Sequence, residues 1–278
     1  MKLSKMIFTL ILLTILSCKK DNEDITILPG NDPNFTIVSH NDNGFSSWPK
    51  KVEVFGIPIY AVSKVEDAKL LHAANVMAQY LDNDEDETID NQAILDAMIS
   101  NKAFMVMWKS ENDLDDIDEP SGIGQDLGND ETHPSFVANG KSGSFDATLE
   151  EVFHIITNAG FSQVYPDVFG TNIGTSLSNA MDAARGGQFI SIPNPYPANA
   201  WYTYDDTTCD YERMITEYFY WAMTSILGAQ ENRLNEIDNE WRLNTKEKVE
   251  QTDNAVYQLL TDPTYKFPTV LPDGTYRR

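Results

Sequence analysis

The sequence predicts one helix-rich α+β domain with a small sheet, covering residues 46–278. The chain has 278 residues, of which 41% are hydrophobic and 11% are aromatic, as is typical of a folded globular protein. Runs of β-branched and aromatic residues are short and occur early in the domain, whereas apolar residues at helical spacing recur through the rest. No internal repeat, low-complexity block or linker follows residue 45. A single domain of the α+β class therefore accounts for this whole segment.

Residues 1–18 are typical of an export signal. Basic residues near the start precede an apolar stretch that is too short to span a membrane. The four residues that close the segment, Ile15-Leu16-Ser17-Cys18, resemble the lipobox of bacterial lipoproteins, whose cysteine is lipidated. The resemblance implies that residues 1–18 are a lipoprotein signal peptide and that the lipidated Cys18 anchors the protein to a membrane.

Residues 19–45 are polar and rich in Asp, Asn, Pro and Gly, which predicts a flexible tether between the anchor and the domain. The acidic residues that follow Cys18 are similar to signals that direct some Gram-negative lipoproteins to the outer surface. The expected location is therefore the outer membrane, with the domain exposed at the cell surface.

The elements of the domain are predicted from the spacing of its apolar residues. Strands are predicted at 51–63, with a break near Gly56 and Pro58, and at 103–108. Amphipathic or buried helices are predicted at 65–81, 91–100, 148–158, 177–187 and about 211–228. The Gly- and Asp-rich segment after the second strand region predicts a loop, and the Pro-rich C-terminal tail predicts an extended chain.

The net charge of the chain limits the kinds of partner that it can bind. Asp and Glu number 43 against 20 Lys and Arg, for a net charge of −23. A nucleic-acid partner is not expected, because phosphate binding needs a basic surface. Divalent cations are the small partners that such an acidic surface favours.

The helix predicted at 148–158 carries two glutamates and a histidine on its polar side. Its apolar residues recur at i, i+3, i+4 and i+7 and form one stripe: Leu149, Val152, Phe153 and Ile156. Glu150 and His154 lie one turn apart on the other side, where two ligands can share a metal ion. Thr148 and Glu151 also match a capping box, and acidic residues suit the first turn of a helix. The pattern alone leaves both interpretations open.

A second helix contributes one more carboxylate. Residues 214–227 are apolar on nearly every side, and Glu217 is their only charge. A carboxylate in such a buried helix needs a partner. The partner can be a metal or a histidine, or one of the arginines Arg185, Arg213 and Arg233.

Together the two helices resemble those of the gluzincin zinc metallopeptidases, in particular the branch related to anthrax lethal factor. In that family a helix with the pattern H-E-x-x-H supplies two ligands and the general base, and a later aromatic-rich helix supplies a glutamate ligand. The resemblance implies a zincin-like fold, with His154 and Glu217 as ligands and Glu151 as the base. Glu150 stands where the family has its first histidine and is the predicted third ligand.

The expected function follows from this resemblance. A set of one histidine and two glutamates is harder than the usual zinc set, so manganese and iron are expected alongside zinc as the single divalent cofactor. Tyr211, about two turns before Glu217, is the residue expected to reach the developing oxyanion. The predicted protein is a membrane-anchored metal-binding protein and metallohydrolase, with a peptide or protein as its substrate.

An acidic stretch between the first two predicted helices suggests a second cation. Its residues match positions 1, 3, 5, 7 and 9 of an EF-hand-like calcium loop: Asp82, Asp84, Asp86, Thr88 and Asp90. The glycine at position 6 and the glutamate at position 12 are absent, since Glu87 and Ala93 stand there. A solvated acidic turn explains the stretch equally well. The alternative function is thus a calcium-stabilised binding or scaffold lipoprotein without catalysis.

Overall fold

The computed structural model describes residues 32–116 and 120–277, so the predicted signal peptide, Cys18 and the first part of the tether lie outside the described residues. Five strands form one open sheet: β1 (Val38–Ser39), β2 (Lys50–Val54), β3 (Ile57–Ala61), β4 (Phe104–Trp108) and β5 (Gly124–Gly128). The strands lie side by side in chain order; β1, β2 and β3 are antiparallel, and β4 and β5 continue the sheet in parallel. The mixed α/β class is confirmed.

Helices make up most of the remaining regular structure. They are α1 (Asp67–Leu81), α2 (Gln92–Ser100), α3 (Thr148–Ile156), α4 (Ser162–Val164), α5 (Pro166–Phe169), α6 (Ser176–Arg185), α7 (Tyr211–Ile226), α8 (Leu234–Ile237), α9 (Lys246–Thr252) and α10 (Asn254–Thr261). A 3₁₀-helix covers Glu111–Asp116, and a π-helical turn, Thr157–Phe161, continues α3. The five predicted helices are confirmed. Within the described ranges, no helix has the length and hydrophobicity needed to cross a membrane.

The break predicted in the first strand region is a hairpin turn. Phe55 and Gly56 join β2 to β3, and both have positive φ angles, of 49° and 91°. Pro58 lies inside β3, opposite Glu53 of β2. The ladder from β3 to β4 begins only at Ile59, so the proline does not interrupt it.

The fifth strand was predicted as loop, and that prediction is wrong. β5 pairs with β4 along its whole length, from Phe104 opposite Gly124 to Trp108 opposite Gly128. Both glycines are covered by the opposing rings. A Cβ at Gly124 would lie 2.4 Å from Cζ of Phe104, and one at Gly128 would lie 2.7 Å from the Trp108 ring. The composition that indicated a loop is the composition that lets the strand lie under two aromatic side chains.

The ordered domain begins earlier than the predicted boundary at residue 46. β1 pairs with β2, and the rings of Phe35 and Phe45 are buried in the core. Phe45 stacks on Tyr60 of β3 at a centroid distance of 3.8 Å. Local polarity indicated a tether here, but the two aromatic residues hold this part of the chain against the sheet.

The extended C-terminal tail is held along α1 by side-chain amides. Asn75, Gln79 and Asn83 follow one another at intervals of four residues, and each side-chain oxygen accepts a hydrogen bond from a tail backbone N–H. Gly274 makes the closest approach, since a Cβ there would lie 2.0 Å from Nδ1 of His72. Polar side chains on α1 and just beyond its end therefore satisfy the backbone of a segment that forms no sheet.

A buried ion pair joins α1 to the segment before α3. Nε2 of His72 lies 2.6 Å from Oδ2 of Asp146, and both side chains are almost fully buried. Oδ1 of Asp146 accepts from the backbone N–H groups of His133 and Thr148. Burial by itself raises the pKa of Asp146, but the hydrogen bond and charge of His72 outweigh it, so the net pKa is lowered.

Acid is therefore expected to destabilise the protein through Asp146. Its pKa is lower when folded than the unfolded value of about 3.9, so its contribution to the free energy of unfolding is present above that value. The contribution is lost as the pH falls through the folded pKa. We expect Asp146→Asn to lower stability by about 1–3 kcal/mol at pH 7, with a smaller difference from wild type at pH 3, below the unfolded pKa of about 3.9. Urea unfolding at pH 7 and at pH 3 measures this difference in the free energy of unfolding.

The matched control removes an exposed carboxylate of α2. Asp96→Asn is expected to change the free energy of unfolding little at either pH, because Asp96 bonds only to Gln92 at the surface within the described part of the chain. An Asp146→Asn deficit of equal size at pH 7 and at pH 3 would contradict the assigned role of Asp146.

Candidate metal centre

The helix α3 presents its glutamates and histidine opposite its apolar stripe. Leu149, Val152, Phe153 and Ile156 are buried, as the spacing predicted. The predicted capping box is wrong, because no side chain of α3 caps its N-terminus and Asp146 accepts from the N–H of Thr148 instead. The carboxylate of Glu151 instead accepts a hydrogen bond of 2.6 Å from Nε2 of Gln125 in β5. Glu150 and Glu151 in the first turn of α3 thus do not cap the helix, and their carboxylates are available to the candidate site.

The helix α7 brings Glu217 to the same place. Asp210 caps this helix by accepting from the N–H of Arg213. Glu217 is 3% exposed, as expected for the only charge in an apolar helix segment. Phe153 of α3 meets Phe219 of α7 edge-to-face at a centroid distance of 5.3 Å. This aromatic contact joins the two helices two residues from Glu217.

Two predicted ligands, Glu150 and Glu217, lie close to the third, His154. Its Nε2 lies 3.7 Å from Oε1 of Glu150 and 3.6 Å from Oε2 of Glu217. His154 is 1% exposed, and neither ring nitrogen has a hydrogen-bond partner among the described residues. Hydrogen bonds to carboxylates are shorter, at about 2.7–2.9 Å. Ligand atoms about 2.0–2.2 Å from one tetrahedral ion are separated by roughly 3.4 Å, close to the spacing seen here.

The ion pair considered as the alternative partner of Glu217 is also present. Nε of Arg213 donates a 2.6 Å hydrogen bond to Oε1 of Glu217, while Oε2 faces His154. Arg185 instead donates to the backbone oxygen of Phe189. Arg233 pairs with Glu236, outside this site. One carboxylate therefore meets an arginine with one oxygen and the histidine with the other, so the two interpretations are compatible.

The charges of the centre are strongly coupled. Burial by itself raises the pKa of Glu217, but His154 and Arg213 outweigh it and the net pKa is lowered. Burial by itself lowers the pKa of His154, but Glu217 and Glu150 outweigh it and raise the pKa to about 10. The charges of Glu217 and Glu150 thus favour the protonated form of His154.

Two further carboxylates lie near the predicted ligands. Burial raises the pKa of Glu151 to about 8, and the charges of Glu150 and Glu217 add to this against the effect of His154. Burial also raises the pKa of Glu240 to about 7, with contributions from Asp205, Glu217 and Glu150. Both carboxyl groups are half-buried, and a cation bound nearby would favour their ionised forms.

The role predicted for Tyr211 is not supported by its position. Its hydroxyl donates a 2.9 Å hydrogen bond to Asp182 of α6. The tyrosine that does meet the centre is Tyr220, whose ring packs edge-to-face on His154 at 5.6 Å. Tyr220 lies three residues after Glu217 on the same helix, so helical spacing from Glu217 was the signal that could have found it. Gln125 had no such signal, because β5 was predicted as loop.

The acidic loop gathers part of the predicted calcium set. Carboxylate oxygens of Asp82, Asp84 and Asp86 lie within 4.8 Å of one another. Asp82 already accepts from the N–H groups of Asp86 and Glu87 and from the hydroxyl of Tyr276. The carboxylate of Asp90 accepts from the N–H of Asn83, and the N–H of Thr88 donates to Asp86. These hydrogen bonds explain the loop without an ion, and calcium binding stays a prediction.

Comparison with known proteins adds no family to this description. The chain matches no protein-family model, no curated protein and no solved structure.

Proposed function

We propose that the protein binds a single divalent cation through Glu150, His154 and Glu217 and uses it to hydrolyse a peptide bond. One observation supports the proposal most strongly. The imidazole of His154 is fully buried with neither nitrogen hydrogen-bonded within the described ranges, and its Nε2 has a carboxylate oxygen on each of two sides at ligand spacing. An unsatisfied buried polar group is costly unless something absent from the structure completes it.

The donor set fits a cation that accepts both nitrogen and oxygen. One imidazole and two carboxylates suit zinc, manganese or iron(II), and the second carboxylate favours the harder members of this group. Glu150 is the most exposed of the three, with 24% of its side chain accessible, so solvent and substrate reach the centre from its side. Three protein ligands leave a coordination position open, as catalytic sites require.

Each neighbouring residue has a task in this proposal. A cation held by these three residues would supply Lewis-acid polarisation of a carbonyl and acidify a water molecule. Glu151 accepts the proton from the attacking water and returns it to the leaving amine. Gln125 holds the Glu151 carboxylate by a hydrogen bond, and Arg213 holds that of Glu217. The glutamates, histidine and helix order are those on which the gluzincin resemblance rests, and a zincin-like fold is part of the proposal.

The location of the site is proposed from the N-terminal sequence alone. Lipidation at Cys18 would hold the domain at the outer membrane through residues 19–31, which precede the described domain. The proposed substrate is thus a peptide or protein that reaches the cell surface.

Metal analysis of the purified protein tests the centre. We expect about one divalent ion per chain after dialysis against zinc, manganese or iron(II), and its loss in His154→Ala and in Glu217→Ala. Each variant removes a ligand from a three-ligand set, so affinity should fall by at least 10–100-fold. His133→Ala is the matched control, because His133 binds Asp146 through its backbone rather than its ring. Retention of the ion in both ligand variants, or none in the wild type, would rule out the site.

A further inference from the structure

A cavity of about 360 Å³, lined mainly by polar residues, shares Arg213 with the proposed metal centre. Residues of the π-helical turn after α3 and of the first turns of α7 line it, among them Asn158, Arg213 and Thr216. Arg213 belongs to both places, because its Nε binds Glu217 while its side chain forms part of the cavity wall. A group held in this cavity is therefore one arginine side chain away from a proposed ligand.

Two donor nitrogens of the Arg213 guanidinium make no hydrogen bond to the described residues. Its side chain is 51% exposed, and the bond from Nε to Glu217 is its one side-chain hydrogen bond within 32–116 and 120–277. Both terminal nitrogens remain available. A guanidinium with two free terminal nitrogens matches a planar carboxylate, which it can bind through two parallel hydrogen bonds.

A second donor lines the same cavity. The side-chain oxygen of Asn158 accepts from the hydroxyl of Thr216 at 3.3 Å. Its NH₂ group makes no hydrogen bond to another described residue. The cavity thus combines a guanidinium and an amide donor, two groups that bind carboxylates in proteins.

The acidic residues of the cavity limit the charge of its ligand. Asp210 and Glu212 also line it, and each has a partner: Asp210 caps α7, and Glu212 accepts from Thr171. Two carboxylates beside one guanidinium leave the wall with a formal charge of −1. A dianionic phosphate is repelled there more strongly than a monoanionic carboxylate, which can accept hydrogen bonds directly from the terminal nitrogens of Arg213.

We infer that Arg213 binds a carboxylate of the substrate in this cavity and so positions the substrate at the metal centre. The inference rests on the proposed hydrolase function and names its substrate class. The carboxylate comes either from the C-terminus of the peptide or from an acidic side chain. Arg213 is a positioning and specificity residue, and the chemistry remains with the metal ligands and Glu151.

Calorimetric titration tests the inference without relying on turnover. The ligands are acetyl-trialanine, its C-terminal amide, and two such amides with the last alanine replaced by glutamate or glutamine. The protein carries Glu151→Gln so that no ligand is consumed, and each titration is run with and without the divalent cation. We expect the acid to bind roughly tenfold more tightly than the amide, a difference of about 1.4 kcal/mol. A preference for glutamate over glutamine would identify an acidic side chain as the source.

Variants distinguish a specific role of Arg213 from a general disturbance of the metal centre. Arg213→Gln is expected to bring the ratio of acid to amide affinity close to one, and Arg213→Lys to restore part of it. Arg277→Gln, which removes an exposed arginine of the tail, should keep the full ratio. Equal binding of acid and amide, no measurable binding of any peptide, or a ratio unchanged in Arg213→Gln would each overturn the inference. Failure of the proposed centre shows separately, as absence of the ion from the wild-type protein.

Discussion

Glu151→Gln is expected to retain the divalent ion and lose hydrolysis by about 10²–10⁴-fold. Glu151 is not one of the three proposed ligands, and its carboxylate is held by Gln125 rather than by a ligand. Glutamine keeps the size and the hydrogen-bonding capacity of the side chain but cannot accept a proton. The rate should therefore fall while the metal content stays near one per chain. Parallel metal analysis and hydrolysis of a peptide library measure both quantities.

The positioning partner of Glu151 supplies a graded comparison. Gln125→Leu removes the hydrogen bond to Glu151 but keeps the base, so the rate should fall less than in Glu151→Gln. Full activity in Glu151→Gln would contradict the role of the base. A metal-loaded wild-type protein that cleaves no peptide would contradict the hydrolase assignment and leave the metal centre standing.

Phe219→Ala is expected to cost about 3–5 kcal/mol in the free energy of unfolding. The ring is 2% exposed and lies among three other aromatic rings. It meets Phe153 at 5.3 Å, stacks on Phe169 at 5.4 Å and meets Phe267 at 5.6 Å. Its removal leaves a cavity between α3 and α7, which the surrounding aromatic residues can fill only in part. Urea unfolding measures the loss.

The same substitution should weaken the metal centre from a distance. Phe219 is not a proposed ligand, but its ring packs between the helices that carry His154 and Glu217. We expect metal affinity to fall roughly 10–100-fold in Phe219→Ala at temperatures where the protein stays folded, as for other supports of metal ligands. Phe219→Leu, which keeps an apolar side chain, should show smaller losses of both quantities. Unchanged affinity in folded Phe219→Ala would show that other contacts set the distance between the helices.

The helices were predictable because their signals are local. Apolar residues at helical spacing identified α1, α2, α3, α6 and α7. Gly186, which follows α6, has the left-handed conformation of a helix C-cap. The position of Glu217 as the lone charge in an apolar helix likewise predicted that its side chain is buried and paired. These features depend on residues within a few turns of one another, so no tertiary information was needed.

The errors arose where the deciding contact is distant in sequence. β5 was missed because its glycines are explained only by the rings of Phe104 and Trp108 in the neighbouring strand. The capping box was wrong because the N–H of Thr148 donates to Asp146, while the carboxylate of Glu151 accepts from Gln125, 26 residues away. The partner of the Tyr211 hydroxyl, Asp182 of another helix, was likewise not visible from the spacing on α7, and a role of Tyr211 in the site stays a prediction.

The amino-acid sequence by itself determined which residues can belong to the centre, because residue type and helical period place Glu150 and His154 on one face and isolate Glu217 in an apolar helix. Only the tertiary structure decided that they meet. The 62 residues between His154 and Glu217 set no distance, and it is the packing of α3 on α7 through Phe153 and Phe219 that brings their polar atoms to 3.6 Å. The fold also decided that Glu217 binds Arg213 and faces His154 at once, since a buried carboxylate has two oxygens and each needs a partner.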